Sequence, residues 1–289
     1  MQLTLIGSGL IGGSAAWAMK RAGLVDRVHV YDLATANAEA ACRMGIADAA
    51  FATPAEALAG AGCVMSAVPV QAMGEVFSEI ARSAPKEAWI TDVGSTRCTV
   101  IAAAREYLGE RFSRYAPVHP IAGGEMPGVE YARDDLFVGA RAISTPQEGM
   151  SEEAVAFWEK VWGKIGASVV RMTPEEHDEV FASVSHLPHV LSYAMVDSIL
   201  QTGKSQKKLA FAGAGFRDFT RIAASSPRMW TDICLANRKA ILLAMDAFEK
   251  DLAHLRALIE SSNEEGLMEV FGRASQARRA LFPAKPVRR

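Results

Sequence analysis

No stretch of about eighteen consecutive apolar residues occurs in this sequence, and its richest run, around residues 241–245, is bounded by Lys239 and Asp246. A membrane-spanning helix is therefore not expected. The opening residues, MQLTLIG, lack a basic segment followed by a long apolar one, so they read as a β-strand and not as a secretory signal. Charge of one sign is also missing: 31 Lys and Arg stand against 33 Asp and Glu, a formal net charge of -2. That balance supplies no broad positive field for nucleic acid or an anionic membrane surface, and neither partner is expected. Four cysteines, Cys42, Cys63, Cys98 and Cys234, show no CxxC or Cys/His spacing. A zinc site and a disulfide framework are therefore not expected, and a reducing cytoplasm fits. Internal repeats and low-complexity linkers are absent too; only short breaks near residues 203–206, 213–215 and 225–227 interrupt the pattern.

What the sequence does have is the composition of a folded enzyme, 50% hydrophobic and 22% charged over 289 residues, a length that suggests about two domains. Short apolar runs at residues 3–6, 28–31, 63–68, 89–93, 115–118, 140–144 and 167–171 alternate with helical stretches. This rhythm predicts an α/β fold with a Rossmann-type doubly wound parallel sheet, whose ligand crevice lies beyond the carboxyl ends of the strands. At Thr173-Pro174-Glu175-Glu176 the rhythm changes: Thr173 is placed to cap a helix, with Pro174 in its first turn and Glu176 completing a capping box. Beyond it, apolar residues recur at helical spacing (Val180, Val184, Leu187, Leu191, Met195, and later Ile233 to Phe248). The expected division is a dinucleotide-binding domain over residues 1–172 and an all-helical domain over residues 173–289. Methionines such as Met195, Met229 and Met245 are read as core fillers, and the basic tail from Pro283 as a solvated end.

Gly7, Ser8, Gly9, Leu10, Ile11 and Gly12 form a GxGxxG run directly after the first strand and at the start of a helical segment. Glycines there let the backbone turn sharply and approach a pyrophosphate, whose charge is met by unpaired amides at the helix N-terminus. About twenty residues further on, the second strand ends at Asp32, placed to accept hydrogen bonds from both hydroxyls of an adenosine ribose. A carboxylate there repels a 2′-phosphate, and the following LATA supplies no arginine to receive one, so the expected cofactor is NAD. Val68 and Pro69 follow another strand where a bound nicotinamide would lie, although Pro69 would equally serve to start the next helix.

Three later segments carry candidate chemistry. Ser95, in TDVGSTR, runs off a strand into a helix, where Ser95 or Thr96 would equally serve as N-cap. His119 is read at the end of a strand, before the loop Gly123-Gly124-Glu125, where backbone can approach a ligand; that position makes it the candidate catalytic imidazole. His186 and His189 lie three apart on one helical face, a spacing compatible with an anionic substrate or with core hydrogen bonding. No neighbouring carboxylate or cysteine completes a metal set there, so no metal is expected. Arg217 and Arg221 sit in an apolar setting, as solvated arginines or as a carboxylate clamp. Glu125 joins His186 among the substrate-binding candidates.

The segments GSGLIGGS, TDVGSTR, HPIAGGE, SHLPHVLSYAM and GFRDFTRIAASSPRMW occur in this order across both halves, and on them the sequence resembles the prephenate/arogenate dehydrogenase family of tyrosine biosynthesis. The resemblance implies oxidative decarboxylation: hydride passes from C4 of a cyclohexadienol to NAD, the ring carboxylate leaves as CO2, and a phenol results. It also implies that His119 is the catalytic histidine hydrogen-bonded to the 4-hydroxyl, that Ser95 assists it, and that His189 and Arg221 bind substrate. Prephenate is the expected substrate, with arogenate as the alternative. The added regulatory or chorismate mutase domains of many relatives are not expected here. A homodimer through the helical domain is expected, because its apolar positions exceed what a small domain buries alone. Two rivals remain. A β-hydroxyacid or imine reductase of similar architecture would need a different acid, such as a lysine, but Lys204, Lys207, Lys208 and Lys239 have polar neighbours. A NAD-sensing regulator would have no use for His119, Ser95 and Arg221 together.

Overall fold

β-branched and aliphatic strand segments line up in parallel at the centre of the computed structural model, which describes residues 1–124, 126 and 128–282. Glu125 and the tail from Pro283, both noted in the sequence, lie outside the described residues. The chain divides into two compact units, Met1–Ile241 and Leu242–Arg289.

In the first unit, β1 (Gln2–Ile6), β2 (Arg27–Tyr31), β3 (Ala49–Ala50), β4 (Cys63–Ser66) and β5 (Trp89–Asp92) form a parallel sheet in the order β3-β2-β1-β4-β5. Because helices cover both faces, the central strands are apolar on both sides. Leu3, Leu5, Cys63 and Met65 face one core with Met19, Trp158 and Trp162, whereas Ile6, Val64 and Ile90 face a second core with Phe77, Ile80 and Tyr115. The crossovers are α1 (Leu10–Arg21), α2 (Thr35–Arg43), α3 (Pro54–Leu58) and α4 (Met73–Ser83), with α5 (Cys98–Leu108) leading out of β5. The two-residue β3 has no counterpart among the strands expected from sequence.

A smaller sheet follows, of β6 (Val118–Ile121), β7 (Arg141–Ser144) and β8 (Ser168–Arg171), with α6 (Glu152–Lys164) between the last two. Here the expectation of a purely parallel arrangement fails: β6 runs antiparallel to β7, and only β7 and β8 are parallel. The expected strand over residues 115–118 is also displaced. Tyr115 makes only an isolated bridge to Ile90, and the paired strand starts at Val118, so His119 lies inside β6, opposite Ile143.

From Thr173 the described chain is helical. The Thr173 hydroxyl accepts from the Glu176 N–H at 3.1 Å and opens α7 (Pro174–Phe181), with Pro174 in its first turn. A π-helical turn, Ala182–His186, leads into α8 (Leu187–Leu200), followed by α9 (Ser205–Ala210), α10 (Ala214–Thr220), α11 (Pro227–Ala236) and α12 (Arg238–Glu260). The second unit holds the remainder of α12 and α13 (Glu264–Leu281). The two helices are joined at Asn263, whose side chain accepts from the Gly266 N–H at 2.9 Å. Met195 and Met229, expected as core fillers, are instead 45% and 43% exposed. Among the described residues no helix is long and apolar enough to cross a membrane.

Candidate active site

The glycine turn between β1 and α1 is shaped for close approach. Gly7 has a φ of 93°, and a Cβ on it would lie 2.7 Å from the Ala67 carbonyl oxygen, while a Cβ on Gly12 would lie 2.4 Å from the Gly7 oxygen. Any side chain at either position would push the turn apart. Gly9 differs: nothing lies within 4 Å of where its Cβ would be, and as N-cap of α1 it offers no side chain to the helix's first amides. The open space and uncapped donors fit a pyrophosphate group. Of the intervening residues, Ser8 turns toward β2, Leu10 meets the loop after β6, where a Cβ on Gly124 would lie 3.2 Å from its Cδ2, and Ile11 packs on the core.

At the end of β2, Asp32 is held from two sides. Ser8 donates its N–H at 2.7 Å and its hydroxyl at 3.1 Å to Oδ2, while the Ala34 N–H, at 2.9 Å, and Asn37 Nδ2, at 3.3 Å, reach Oδ1. Leu33, next in the chain, is 91% exposed. Beyond β4, Val68 borders the glycine turn, its Cγ1 3.1 Å from where a Cβ on Gly7 would sit. Pro69 precedes a 3-10 turn, Val70–Ala72, against which α11 packs. The three strand ends thus gather the expected cofactor residues on one edge of the sheet.

The end of β5 carries a fully buried ion pair. Arg97 reaches Asp92 at 2.6 and 3.2 Å, and Asp92 also accepts from the Gly94 N–H at 2.7 Å and from the Tyr115 hydroxyl. Burial works against the Arg97 charge, but the adjacent Asp92 carboxylate more than offsets it and raises the guanidinium's pKa. Burial, with Asp92 beside it, pushes the Tyr115 phenol well above its ordinary value. Ser95 is half-buried on this turn. Neither Ser95 nor Thr96 caps α5: the N-cap is Arg97, without a side-chain cap of its own, and the carboxylate of Asp178 on α7 accepts from the N–H groups of Arg97 at 2.7 Å and Cys98 at 2.9 Å.

That carboxylate ends a chain of groups that begins at His119. His119 Nδ1 lies 2.8 Å from His177 Nε2, and His177 Nδ1 lies 2.9 Å from Asp178 Oδ1. Phe181 stacks on His177 with ring centroids 4.4 Å apart and packs on His119 at 5.1 Å. Desolvation, reinforced by the neighbouring His177, Arg97 and His186, pushes the His119 imidazole well below its usual pKa. Burial works against the Asp178 carboxylate, but the hydrogen bonds from His177 and the two amides outweigh it and hold its pKa low.

The other two histidines flank Trp230. His189 stacks on the indole at 3.6 Å between centroids, and its Nδ1 bonds the Ser185 carbonyl at 2.9 Å. His186, fully buried, meets the same ring edge-on and contacts Asn237 Nδ2 at 3.1 Å, which itself donates to the Asp178 carbonyl at 2.8 Å. Burial lowers the His186 pKa to about 4. His189 is lowered by burial and by the positive charge of Arg221, which brings that exposed arginine into the same neighbourhood. His186 therefore belongs to the packed interior, and His189 and Arg221 stand outside it. Among the described residues, no group of three or more His, Cys, Asp or Glu converges as a metal site.

His177, Asp178 and Trp230 were not singled out in the sequence. The only local signal was the adjacent His-Asp pair in PEEHDEV, which reads as an ordinary polar helix face until β6 is brought against it.

A doubly wound sheet with an uncapped glycine turn after its first strand, a carboxylate at the end of its second and a half-buried imidazole in the strand whose following loop meets that turn defines a dinucleotide-dependent dehydrogenase. Known proteins agree. Residues 15–171 match the family model "Prephenate dehydrogenase, nucleotide-binding domain", and residues 173–273 match "Prephenate dehydrogenase, dimerization domain". The chain is 35% identical to the cyclohexadienyl dehydrogenase of Zymomonas mobilis, over 96% of this chain and 95% of that protein. It is also 35% identical to the prephenate dehydrogenase of Bacillus subtilis, over 96% and 76% respectively. A crystal structure of prephenate dehydrogenase from A. aeolicus, in complex with hydroxyphenyl propionate and NAD+, superposes with a TM-score of 0.92 at 34% identity, covering 97% of this chain and 98% of that one. The chain belongs to the prephenate dehydrogenase family.

Proposed function

We propose that this protein oxidises prephenate with NAD, releasing CO2 and 4-hydroxyphenylpyruvate, a step of tyrosine biosynthesis in the cytoplasm. The observation that carries the proposal is His119, a desolvated imidazole held on its Nδ1 side by His177 and set in the strand whose following loop meets Leu10 of the glycine turn. When bound, the nicotinamide supplies the hydride acceptor. Residues 7–12 hold the pyrophosphate, Asp32 holds the ribose hydroxyls, and Val68 and Pro69 border the nicotinamide. As hydride leaves C4 the 4-hydroxyl becomes more acidic, and His119, kept neutral by its surroundings, accepts that proton. Ser95 assists in orienting the hydroxyl. His189 and the Arg221 guanidinium receive the carboxylates of the substrate, with His186 supporting them from the interior. Aromatisation and loss of CO2 drive the reaction: as the carboxylate leaves, its bonding electrons pass through the ring to the 4-oxygen, which regains a proton from His119, so the residues need only bind, orient and lend one proton.

The proposed division of labour gives residues 1–172 to NAD and residues 173–289 to substrate and to a second copy of the chain. What supports dimerisation is the description of the matched family segment together with exposed apolar side chains on the helices, among them Val184, Leu200, Leu235 and Leu243. Prephenate is preferred over arogenate because the side-chain end of the substrate then needs only donors and cations, which His189 and Arg221 provide. Incubation with prephenate and NAD tests the reading: NADH, CO2 and 4-hydroxyphenylpyruvate are expected in equal amounts, and their absence at saturating substrate rejects it.

A further inference from the structure

Two residues that touch neither cofactor nor substrate in the proposed reaction, His177 and Asp178, sit directly behind the imidazole that does the chemistry. Asp178 accepts three hydrogen bonds: from the N–H groups of Arg97 and Cys98 at the start of α5, and from His177 Nδ1 at 2.9 Å. A carboxylate so supplied with donors is ionised and can only accept. The nitrogen facing it, His177 Nδ1, must therefore carry a hydrogen. Burial keeps His177 below its ordinary pKa in spite of Asp178, so at neutral pH it holds a single ring proton and its Nε2 is a bare acceptor. That bare Nε2 lies 2.8 Å from His119 Nδ1, which is then the donor of the pair.

We infer that His177 is a positioning residue: backed by Asp178, it holds neutral His119 in the tautomer protonated at Nδ1, so that the Nε2 lone pair is the one presented for the substrate's hydroxyl proton. The inference rests on the reading of His119 as proton acceptor. In the other tautomer Nε2 would carry the hydrogen and His119 could not accept. The arrangement has a second consequence. When Nε2 takes the proton, the new positive charge is separated by one imidazole from an anchored carboxylate. Among the described residues, the other charged or titratable groups that act on His119 are Arg97, from the turn before α5, and His186, from the π-helical turn, and both oppose that charge. Asp178 is thus the compensating group on this side. The two halves of the device come from distant parts of the chain, His119 from β6 and the His-Asp pair from α7, so docking of α7 onto β6 sets the proton in place.

Nitrogen-15 NMR of the full protein labelled at histidine, with His119 assigned by its loss in His119→Asn, reads the tautomer without turnover. The expected spectrum has hydrogen on Nδ1 of His119 and a bare Nε2 near pH 7; hydrogen on Nε2 instead would overturn the inference whether or not prephenate is the substrate. Conversely, a protein with the expected tautomer that failed to oxidise prephenate would leave this inference standing and reject the proposed reaction. His177→Leu should scramble the tautomer and lower kcat on the order of a hundredfold, with KM little changed. His177→Gln, whose side-chain carbonyl can still accept from Nδ1, should recover the tautomer and most of the rate. Full activity in His177→Leu, or no difference between the Leu and Gln variants, contradicts the positioning role.

Discussion

Ser8 donates twice to one oxygen of Asp32, through its backbone N–H at 2.7 Å and its hydroxyl at 3.1 Å, so the glycine turn and the end of β2 are tied by a single serine. The carboxylate proposed to hold the ribose is thereby fixed by the same turn proposed to hold the pyrophosphate. Ser8, read from sequence only as a member of the GxGxxG run, acquires a role of its own: it orients the carboxylate proposed to select the cofactor.

Replacing Asp32 should therefore alter cofactor choice more than folding. Asp32→Ser removes the charge that repels a 2′-phosphate, and Asp32→Arg supplies a cation for one. The ratio of kcat/KM for NAD to that for NADP, measured in the wild type and both variants, should favour NAD strongly in the first and fall in the other two. Equal use of NADP by the wild type contradicts the assignment.

His119→Asn should lower kcat by about 10²–10⁴-fold, the contribution of a general base, while NAD binding followed by calorimetry stays near normal. Because desolvation and the nearby His177, Arg97 and His186 hold the His119 pKa well below 6.5, the imidazole is a competent acceptor throughout the neutral range. The base limb of log kcat against pH should accordingly lie flat near pH 7 and bend down only on the acid side of 6.5. A limb that bends above pH 7 would assign the proton to another group.

The Asp92–Arg97 pair makes a different kind of prediction, because both side chains are fully buried. Arg97→Met leaves the Asp92 carboxylate with only the Gly94 N–H and the Tyr115 hydroxyl. Removing one partner of a buried pair typically costs about 3–5 kcal/mol, which chemical denaturation would read directly. A change under about 1 kcal/mol would mean that water or a rearranged Tyr115 replaces the guanidinium.

Oligomeric state checks the proposed role of the helices. Light scattering at assay concentrations should give twice the mass of one chain, and Leu243→Glu, at a position 62% exposed in the single chain, should shift the equilibrium toward monomer. A wild-type monomer rejects the dimer.

The parts of the candidate site legible in the sequence were those built from contiguous residues. Residues 7–12 and Asp32 could be read because a strand, a glycine turn and a helix succeed one another in the chain, and the conformation each glycine needs is a local matter. The Thr173 cap was legible for the same reason. His119 was named as a candidate, but its place was misjudged: Tyr115 to Val118 look like a strand, whereas pairing begins at Val118 because β7, more than twenty residues away, supplies the hydrogen bonds. His177 carried only the weak signal of its adjacent His-Asp pair, since what distinguishes it is a nitrogen 2.8 Å from a residue 58 positions earlier. Nor could the sequence reveal that Asp178 replaces Ser95 or Thr96 as the cap of α5, because that hydrogen bond spans some eighty residues of chain. Met195 and Met229 were misread as core because apolar periodicity does not distinguish a side chain buried within one chain from one left open for another.

The most direct measurement is a side-by-side determination of kcat/KM for prephenate and arogenate, each with saturating NAD. Both compounds present the same 4-hydroxyl and ring carboxylate, so His119 and Ser95 act alike on each and only the side-chain end distinguishes them. The account predicts turnover of both or of prephenate alone, with the larger kcat/KM for prephenate and with His119→Asn depressing the two rates in parallel. A kcat/KM clearly higher for arogenate, or oxidation of neither, would contradict it.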